Sequence, residues 1–332
     1  MTDGRYSGLL ASAPRWWATS SGSASPAEST AGGDEVLSSP AVVRAIESRH
    51  GPFRRTSVKP YSRVFQALDG RSLLKVYVGI DPAGRRRREV EAIRGAGRQR
   101  LSAPTVLGTG AEGDSAWTVF QMLPGRPCTI ETVPAVRDYL DRVLVLSDQL
   151  HRPAPGLVPG SGWVPHHRDP FTHRGFLLRQ LSPRCRLLPW WADLTELLAP
   201  IDAHPVVLLH GDLKPEHLLV DGDRIHVVDW EASGRGPAVA DHADVAFHLA
   251  RDLIYGDLPY RRLPEDVVRR LVLSGSVLAW RLLLWLDRRR PEDITLVPPG
   301  LIRRLAAPNR PIATWALLAQ TISALRACGV PR

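Results

Sequence analysis

A chain of 332 residues, 44% of them hydrophobic, is long enough to bury the core of two lobes, and its three cysteines, Cys128, Cys185 and Cys328, are too few and too scattered for a disulfide framework or a thiolate zinc site. A formal charge of +9 favours anionic partners and sets a long-range repulsion against polycationic ones. The longest apolar run, Ser276 to Leu286, is too short for a bilayer and is interrupted by Arg281, and no basic patch followed by an apolar core opens the chain, so a soluble, cytoplasmic protein with no membrane partner is expected.

Residues 1–38 are rich in Ser, Ala and Gly and poor in large apolar side chains, which predicts a disordered arm. Its Arg15-Trp16-Trp17 step could dock on a partner or on the chain's own domain. From Val58 the pattern turns to strands, with Val64–Leu68 and Ser72–Val78 joined by Asp69-Gly70, a strong hairpin signal. Alternation puts Leu73, Lys75 and Tyr77 on one face and Leu74, Val76 and Val78 on the other, so Lys75 needs a partner if that face is covered.

After Asp81-Pro82 a helix is predicted over Arg85–Gly97, where Glu89 and Ile93 are four residues apart and share a face, while Glu91 points elsewhere. The run Arg85 to Arg88, followed by Arg94, Arg98 and Arg100, reads either as a solvated helix face or as an anion-binding patch. Aromatic residues are not interleaved with it and no recognition motif accompanies it, so nucleic acid is not an expected partner. Two more strands are suggested by Ala103–Gly108 and Trp117–Leu123 before a breaker at Pro124–Pro127.

Beyond the breaker the pattern is mainly helical, with segments at Ala135–His151, Trp191–Ile201, Ala238–Ile254, Val267–Asp287 and Ile312–Cys328. The stretch Arg152–Arg174 is loop-like, and its His166, His167 and His173 lack the spacing of a metal site and read as polar surface. Val206–His210 is a short apolar strand, and residues 217–228 form a hairpin with Asp221-Gly222 at its tip. A hairpin brings its open ends together, so His217, entering the first strand, and Asp229, leaving the second, should lie close, with Asp212 on the preceding loop. Such a cluster suits phosphoryl transfer, in which one carboxylate orients the attacking hydroxyl and another holds magnesium on the nucleotide phosphates.

From Val58 to Ile254 these residues resemble the kinase-like phosphotransferases grouped with aminoglycoside phosphotransferases and choline kinases, distant relatives of protein kinases. "HGDLKPEH" (His210–His217) looks like that family's H-G-D-x-x-x-x-N catalytic loop, and "VVDWEASGRGPAVADHAD" (Val227–Asp244) looks like its I-D-W-E-x-x-x-x-G-x-x-x-x-D segment. "DQLHRPAP" (Asp148–Pro155) is similar to the Leu-His ending of its first large-lobe helix. The resemblance implies an α+β, bilobal, protein-kinase-like fold, with a small antiparallel-sheet N-lobe carrying one helix, here 39–124 and nucleotide-binding, and a larger, mainly helical C-lobe, here 125–332 and catalytic. It implies ATP and Mg2+ as cofactors, Asp212 as catalytic base and Asp229 as metal ligand. Lys75 would bind the α- and β-phosphates, held by Glu89, with Gln121 and Leu123 in the hinge against which adenine lies. Asp241 would brace the catalytic loop and His210 would support it.

The chain departs from the family pattern at three places. His217, kept as a candidate metal ligand, stands where asparagine is usual, so a second metal position that is weak, water-mediated or filled by Glu216 is expected, and a nucleotide-binding pseudokinase is the alternative to an active enzyme. Lys214 resembles the Ser/Thr protein-kinase loop and can stabilise charge on the transferred group; otherwise it faces solvent. No glycine-rich phosphate loop is present, and Lys59, Ser62 or Arg63 could contact phosphate instead. Glu231 could assist at the metal, although a supporting role suits it better.

The acceptor is not written in these motifs. Polycationic aminoglycosides match a charge of +9 poorly. The composition resembles that of high-GC actinobacteria, where stand-alone kinases of this kind occur with ribosomally made peptides, as in class V lanthipeptide pathways. By that resemblance Ser/Thr of a precursor peptide is the leading acceptor, with a separate lyase as partner protein, and a small hydroxylated antibiotic, sugar or metabolite is the alternative.

Overall fold

The structure, a computed structural model, describes residues 40–59, 61–152, 172–256, 258, 262–298, 300–307 and 310–332. The predicted arm with its Arg15–Trp17 step, and His166 and His167, lie outside the described residues.

Helix α1 (Pro40–His50) leads into strands β1 (Phe53–Lys59), β2 (Ser62–Ala67) and β3 (Ser72–Tyr77), then helix α2 (Pro82–Arg98) and strands β4 (Val106–Glu112) and β5 (Ser115–Gln121). The strands make one antiparallel sheet in the order β1-β2-β3-β5-β4. The Asp69-Gly70 turn closes the β2–β3 hairpin with Gly70 at φ 72°, a conformation glycine adopts without strain. Lys75 pairs with Val64 on one side and Thr118 on the other, which makes it a central-strand lysine rather than an edge one.

One face of β3 and β5 supplies Leu74, Val76 and Val119 to a small core completed by Ile46 of α1. Burying each of these side chains contributes about 2 kcal/mol. Helix α1 and strand β1 were not foreseen from the sequence. Arg54, Arg55 and Thr56 of β1 are exposed, so this edge strand lacks the apolar alternation that marks a strand in sequence. Helix α2 starts at Pro82, and the Asp81 carboxylate caps it by accepting from the Gly84 N–H at 3.0 Å.

The second lobe begins with β6 (Arg126–Pro127) and continues through α3 (Val133–Leu150), α4 (His173–Arg179), α5 (Trp191–Leu197), β7 (Val207–Leu209), β8 (Leu218–Asp221), β9 (Arg224–Val227), β10 (Gly234–Gly236) and α6 (Val239–Tyr255). It ends with α7 (Glu265–Arg270), α8 (Gly275–Arg289), α9 (Leu301–Leu305) and α10 (Pro311–Ala327). The fold is α+β and bilobal, a small antiparallel sheet lobe on a larger, mainly helical one, as the resemblance implied. β8 and β9 form the expected hairpin, and β6 pairs with β8 while β10 pairs with β7.

The single helix expected over Val267–Asp287 is two helices. Leu271 turns extended, and Gly275 packs so closely on α9 that an added Cβ would lie 2.1 Å from the Leu305 carbonyl oxygen, so the chain breaks there. Helices α6 and α8 are buried on nearly every side and form the centre of the main core with Trp230, Phe247 and Trp280. The three cysteines are free thiols. Among the described residues no helix is long and apolar enough to cross a membrane.

Candidate active site

The loop after β7 carries His210, Gly211 and Asp212, and its backbone is held from α6. Asp241, fully buried, accepts the N–H groups of His210 at 2.9 Å and Gly211 at 2.8 Å, and its carboxylate also meets His151 Nε2 at 3.0 Å. Gly211 has φ 77°, and an added Cβ would lie 2.3 Å from the Ala232 carbonyl oxygen, so only glycine fits this turn. His210 Nε2 lies 3.0 Å from the Val228 carbonyl, to which it must donate, leaving Nδ1 to accept the Asp212 N–H at 3.3 Å. From α3, Tyr139 donates its hydroxyl to the Leu213 carbonyl at 2.8 Å.

Asp212 is thereby placed with its two oxygens in different surroundings. Oδ2 faces Lys214 Nζ and His217 Nδ1, each at 3.4 Å, and Oδ1 faces His248 Nε2 at 3.2 Å. Burial alone raises a carboxyl, but Lys214, then His217 and His248, hold Asp212 well below the usual carboxylate range. Lys214 is 2% exposed, which removes the reading of a solvent-facing lysine, and it also pairs with Glu216 at 3.2 Å. Glu216, the alternative metal donor, is thus engaged with Lys214.

His217 Nδ1 lies 2.9 Å from the Asp212 backbone carbonyl, which can only accept, so the ring proton sits on Nδ1 and the Nε2 lone pair is free. That Nε2 faces Asp229 Oδ2 at 3.4 Å. Burial, with Lys214 next to it, lowers the His217 pKa to about 4, so the ring is neutral near pH 7.

Asp229, at φ 61° and ψ 59°, closes the other side of the cleft. Its Oδ1 accepts from Lys75 Nζ at 2.7 Å, and Lys59 Nζ stands 3.4 Å from Oδ2. Lys75 also meets Glu89 Oε2 and Glu231 Oε2, each at 2.9 Å. Three carboxylates thus converge on one ammonium, and burial pushes its pKa down less than Asp229, Glu231 and Glu89 push it up. Burial raises the Glu89 pKa despite Lys75, and Tyr77 donates its hydroxyl to Glu89 at 2.7 Å. Glu91 is exposed on the far side of α2.

The arginine run divides: Arg87, Arg94, Arg98 and Arg100 are exposed, as a solvated helix face would be, and two of its members are not. Arg85 and Arg88 are buried while Arg87 is exposed. Arg85 forms an ion pair with Glu231 and donates to the Tyr61 and Val78 carbonyls at 2.8 and 3.0 Å; Arg88 pairs with Asp81 at 3.0 Å. Arg85 therefore anchors Glu231, which sequence reasoning left in a supporting role. The four-residue spacing from Arg85 to Glu89, one helix face, was the signal that could have found it.

Lys59, Tyr61, Ser62, Arg85, Asp212, Asp229, Glu231 and Ala232 line the cleft between the lobes. Arg63 folds back onto the carbonyls of Lys59 and Ser62. Gln121 and Leu123 lie at the end of β5 and just beyond it, outside this charged cluster. His173, expected as polar surface, is buried at the start of α4, where the helix packs it and its Nε2 lies 3.3 Å from the His204 carbonyl.

The model of the phosphotransferase enzyme family matches residues 61–265 of the chain. A search of the curated proteins finds no significant match. Among solved structures, a thermostable mutant of aminoglycoside phosphotransferase APH(4)-Ia, in ternary complex with ADP and hygromycin B, is similar at 18% identity and a TM-score of 0.55, over 86% of this chain and 98% of that one. APH(3'')-Id from Streptomyces rimosus, in complex with ADP and streptomycin, is similar at 19% identity and a TM-score of 0.50, over 77% and 97%. The aminoglycoside-3'-phosphotransferase of type VIII is similar at 21% identity and a TM-score of 0.50, over 74% and 97%. At such identities the likeness is one of fold.

Proposed function

The chain belongs to the phosphotransferase enzyme family and is an ATP-dependent O-phosphotransferase, and on that premise we propose how its residues divide the work and which acceptor they take. Asp212 is the base: its Oδ2 takes the proton of the acceptor hydroxyl as that oxygen bonds to the γ-phosphorus and ADP leaves. Lys214, buried beside it, offsets charge on the transferring group. Lys75, positioned by Glu89 and Glu231, binds the α- and β-phosphates, with adenine against the segment of Gln121 and Leu123. His210 and Asp241 hold the loop that carries the base. Residues 39–124 serve the nucleotide and residues 125–332 the catalytic loop and acceptor.

Asp229 Oδ2 and His217 Nε2, 3.4 Å apart with the imidazole neutral, would hold a divalent cation. When bound, magnesium would supply positive charge that offsets the negative charge of the phosphates. The observation that carries the whole reading is the bridge of His217, which faces Asp212 Oδ2 and Asp229 Oδ2 at 3.4 Å each and so supports taking these two carboxylates as the base and the metal carboxylate of one site.

The acceptor is a Ser or Thr side chain of an acidic, ribosomally made precursor peptide, with a separate lyase removing the phosphate, as in lanthipeptide-type dehydration. A charge of +9 supports an anionic acceptor and disfavours a polycation. A second reading, a small hydroxylated antibiotic, sugar or metabolite, is supported by the fold neighbours, whose complexes hold hygromycin B and streptomycin.

The test is transfer from γ-labelled MgATP by the wild type and by Asp212→Asn, offered an acidic Ser/Thr-rich peptide and a panel of hydroxylated small molecules. Label on the peptide that disappears in the variant supports the peptide acceptor. Label confined to a small molecule moves the acceptor to the second reading, and full transfer by Asp212→Asn removes Asp212 as the base.

A further inference from the structure

Behind the proposed base lies a buried polar chain that the transfer chemistry has not used. Asp241, Asp244 and His248 follow one another at intervals of three and four on α6, so they form one stripe on the helix face turned to the catalytic loop. Asp241 holds the loop backbone. His248, 1% exposed, presents Nε2 to Asp212 Oδ1 and to Asp244 Oδ1, at 3.2 Å each. From α8, Arg281 donates through Nε to the same Asp244 oxygen at 2.8 Å, places Nη2 3.3 Å from His248 Nε2 and stacks over the Phe247 ring at 4.4 Å.

Two carboxylates this deep would repel unless each had its own positive partner. Arg281 supplies one for Asp244, and Lys214 supplies one for Asp212. Asp212 Oδ1 and Asp244 Oδ1 can only accept, so a proton on His248 Nε2 suits both contacts, whereas an unprotonated Nε2 would turn its lone pair to two carboxylates. The 3.3 Å approach of Arg281 Nη2 is then not a hydrogen bond, Arg281 serves Asp244 through Nε, and the Nε2 proton can pin Asp212 Oδ1. Pinning Oδ1 stops the carboxylate from rotating about its Cβ–Cγ bond and leaves Oδ2 turned to Lys214 and His217, where an acceptor hydroxyl would approach.

We infer that His248, backed by Asp244 and Arg281, is the positioning residue that orients the Asp212 carboxylate for proton transfer. The inference rests on Asp212 being the base. A buried histidine kept only for packing would fill the same volume, but it would not need its nitrogen aimed at that oxygen. Positioning acts in the transition state, so its loss lowers kcat and spares nucleotide binding; a shift of about an ångström at a reacting group costs on the order of 100-fold.

The experiment compares His248→Gln, whose amide N–H reaches the place of Nε2, with His248→Asn, which is one carbon shorter and equally polar. Turnover is followed as ADP release from MgATP, with water as acceptor and with any acceptor found for the wild type, and ADP affinity is titrated in parallel. Expected is a kcat loss of about 100-fold for Asn, recovery to within about tenfold of wild type for Gln, and KM for ATP and ADP affinity unchanged in both. In an Asp212→Asn background His248→Asn should add nothing, because there is no longer a base to orient. Equal kcat in the two amide variants, or a KM effect without a kcat effect, overturns the inference. If His248→Asn does not fold, His248→Phe, matched in bulk and without a donor, takes its place against Gln. Full activity of Asp212→Asn alone would instead remove the base assignment, and the two failures are told apart by that single variant.

Discussion

The Nζ of Lys75 lies 2.7 Å from Oδ1 of Asp229, joining the central strand of the small lobe to the hairpin end of the large one across 154 residues of sequence. Glu89 and Glu231 flank the same ammonium. Removing it leaves the buried Glu89 and the half-buried Asp229 and Glu231 to share Arg85 and Lys59. Lys75→Met is expected to lower unfolding stability by about 3 kcal/mol, as for a buried pair deprived of one partner, besides losing nucleotide affinity. Urea unfolding without nucleotide checks it; unchanged stability would mean that the carboxylates do not depend on Lys75.

Replacing His217 by asparagine exchanges an imidazole nitrogen for an amide oxygen, a harder donor for magnesium. His217→Asn should keep or raise activity, with half-saturation at a lower magnesium concentration. A magnesium titration of transfer in both proteins measures this, and complete loss in the variant would give the imidazole a role other than that of metal donor.

Burial holds the His217 pKa at about 4, below its ordinary 6.5, so the folded protein takes up its proton later than the unfolded chain as pH falls. The stability linked to this ring is therefore fully present above about pH 6.5 and lost on the way down to about pH 4. At pH 5 the loss is about 2 kcal/mol. Urea unfolding of the metal-free protein in chelator, at pH 7 and pH 5, should show a drop larger by about that amount in wild type than in His217→Asn. An equal drop in both would mean that the ring titrates normally.

At Gly211 the backbone is left-handed and the space for a Cβ is taken by the Ala232 carbonyl oxygen at 2.3 Å. Gly211→Ala is expected to cost about 3 kcal/mol or more, combining left-handed strain with that clash. The loop must move to accept the methyl, so activity should fall further than stability does. Thermal unfolding and turnover together check both parts, and a neutral variant would mean that the turn is looser than this geometry.

Asp212, His217 and Asp229 were legible as candidates because a loop before a hairpin brings them together, and Lys75, Glu89 and Lys214 because the motifs around them resemble those of the family. The structure brings these six into one cleft. The periodicity of α2 also held the answer to its arginines, since residues 85, 88 and 89 share the inward side of a helix with 3.6 residues per turn. Arginine by itself reads as solvated surface, and that prior hid it. Helix α1 and strand β1 were missed because the helix is short and the strand is a polar edge, and neither carries a clean apolar period.

The order of the residues pointed to the hairpins through short turns and, through the family resemblance its motifs carry, to the two lobes, the braced loop and most of the charged cluster, because those motifs are short runs of neighbours in the chain even where the contacts they make are distant. Only the tertiary structure decided what stands behind them. Glu231 reaches Arg85 over 146 positions, and Asp244 reaches Arg281 over 37. Buried side chains of α6 and α8 carry the same apolar-helix signature whether a histidine among them is mere filling or is aimed at a carboxylate. That choice is made by the packing of two helices against a loop, where burial removes water and leaves each polar group to find its partner among whatever the fold has brought within reach.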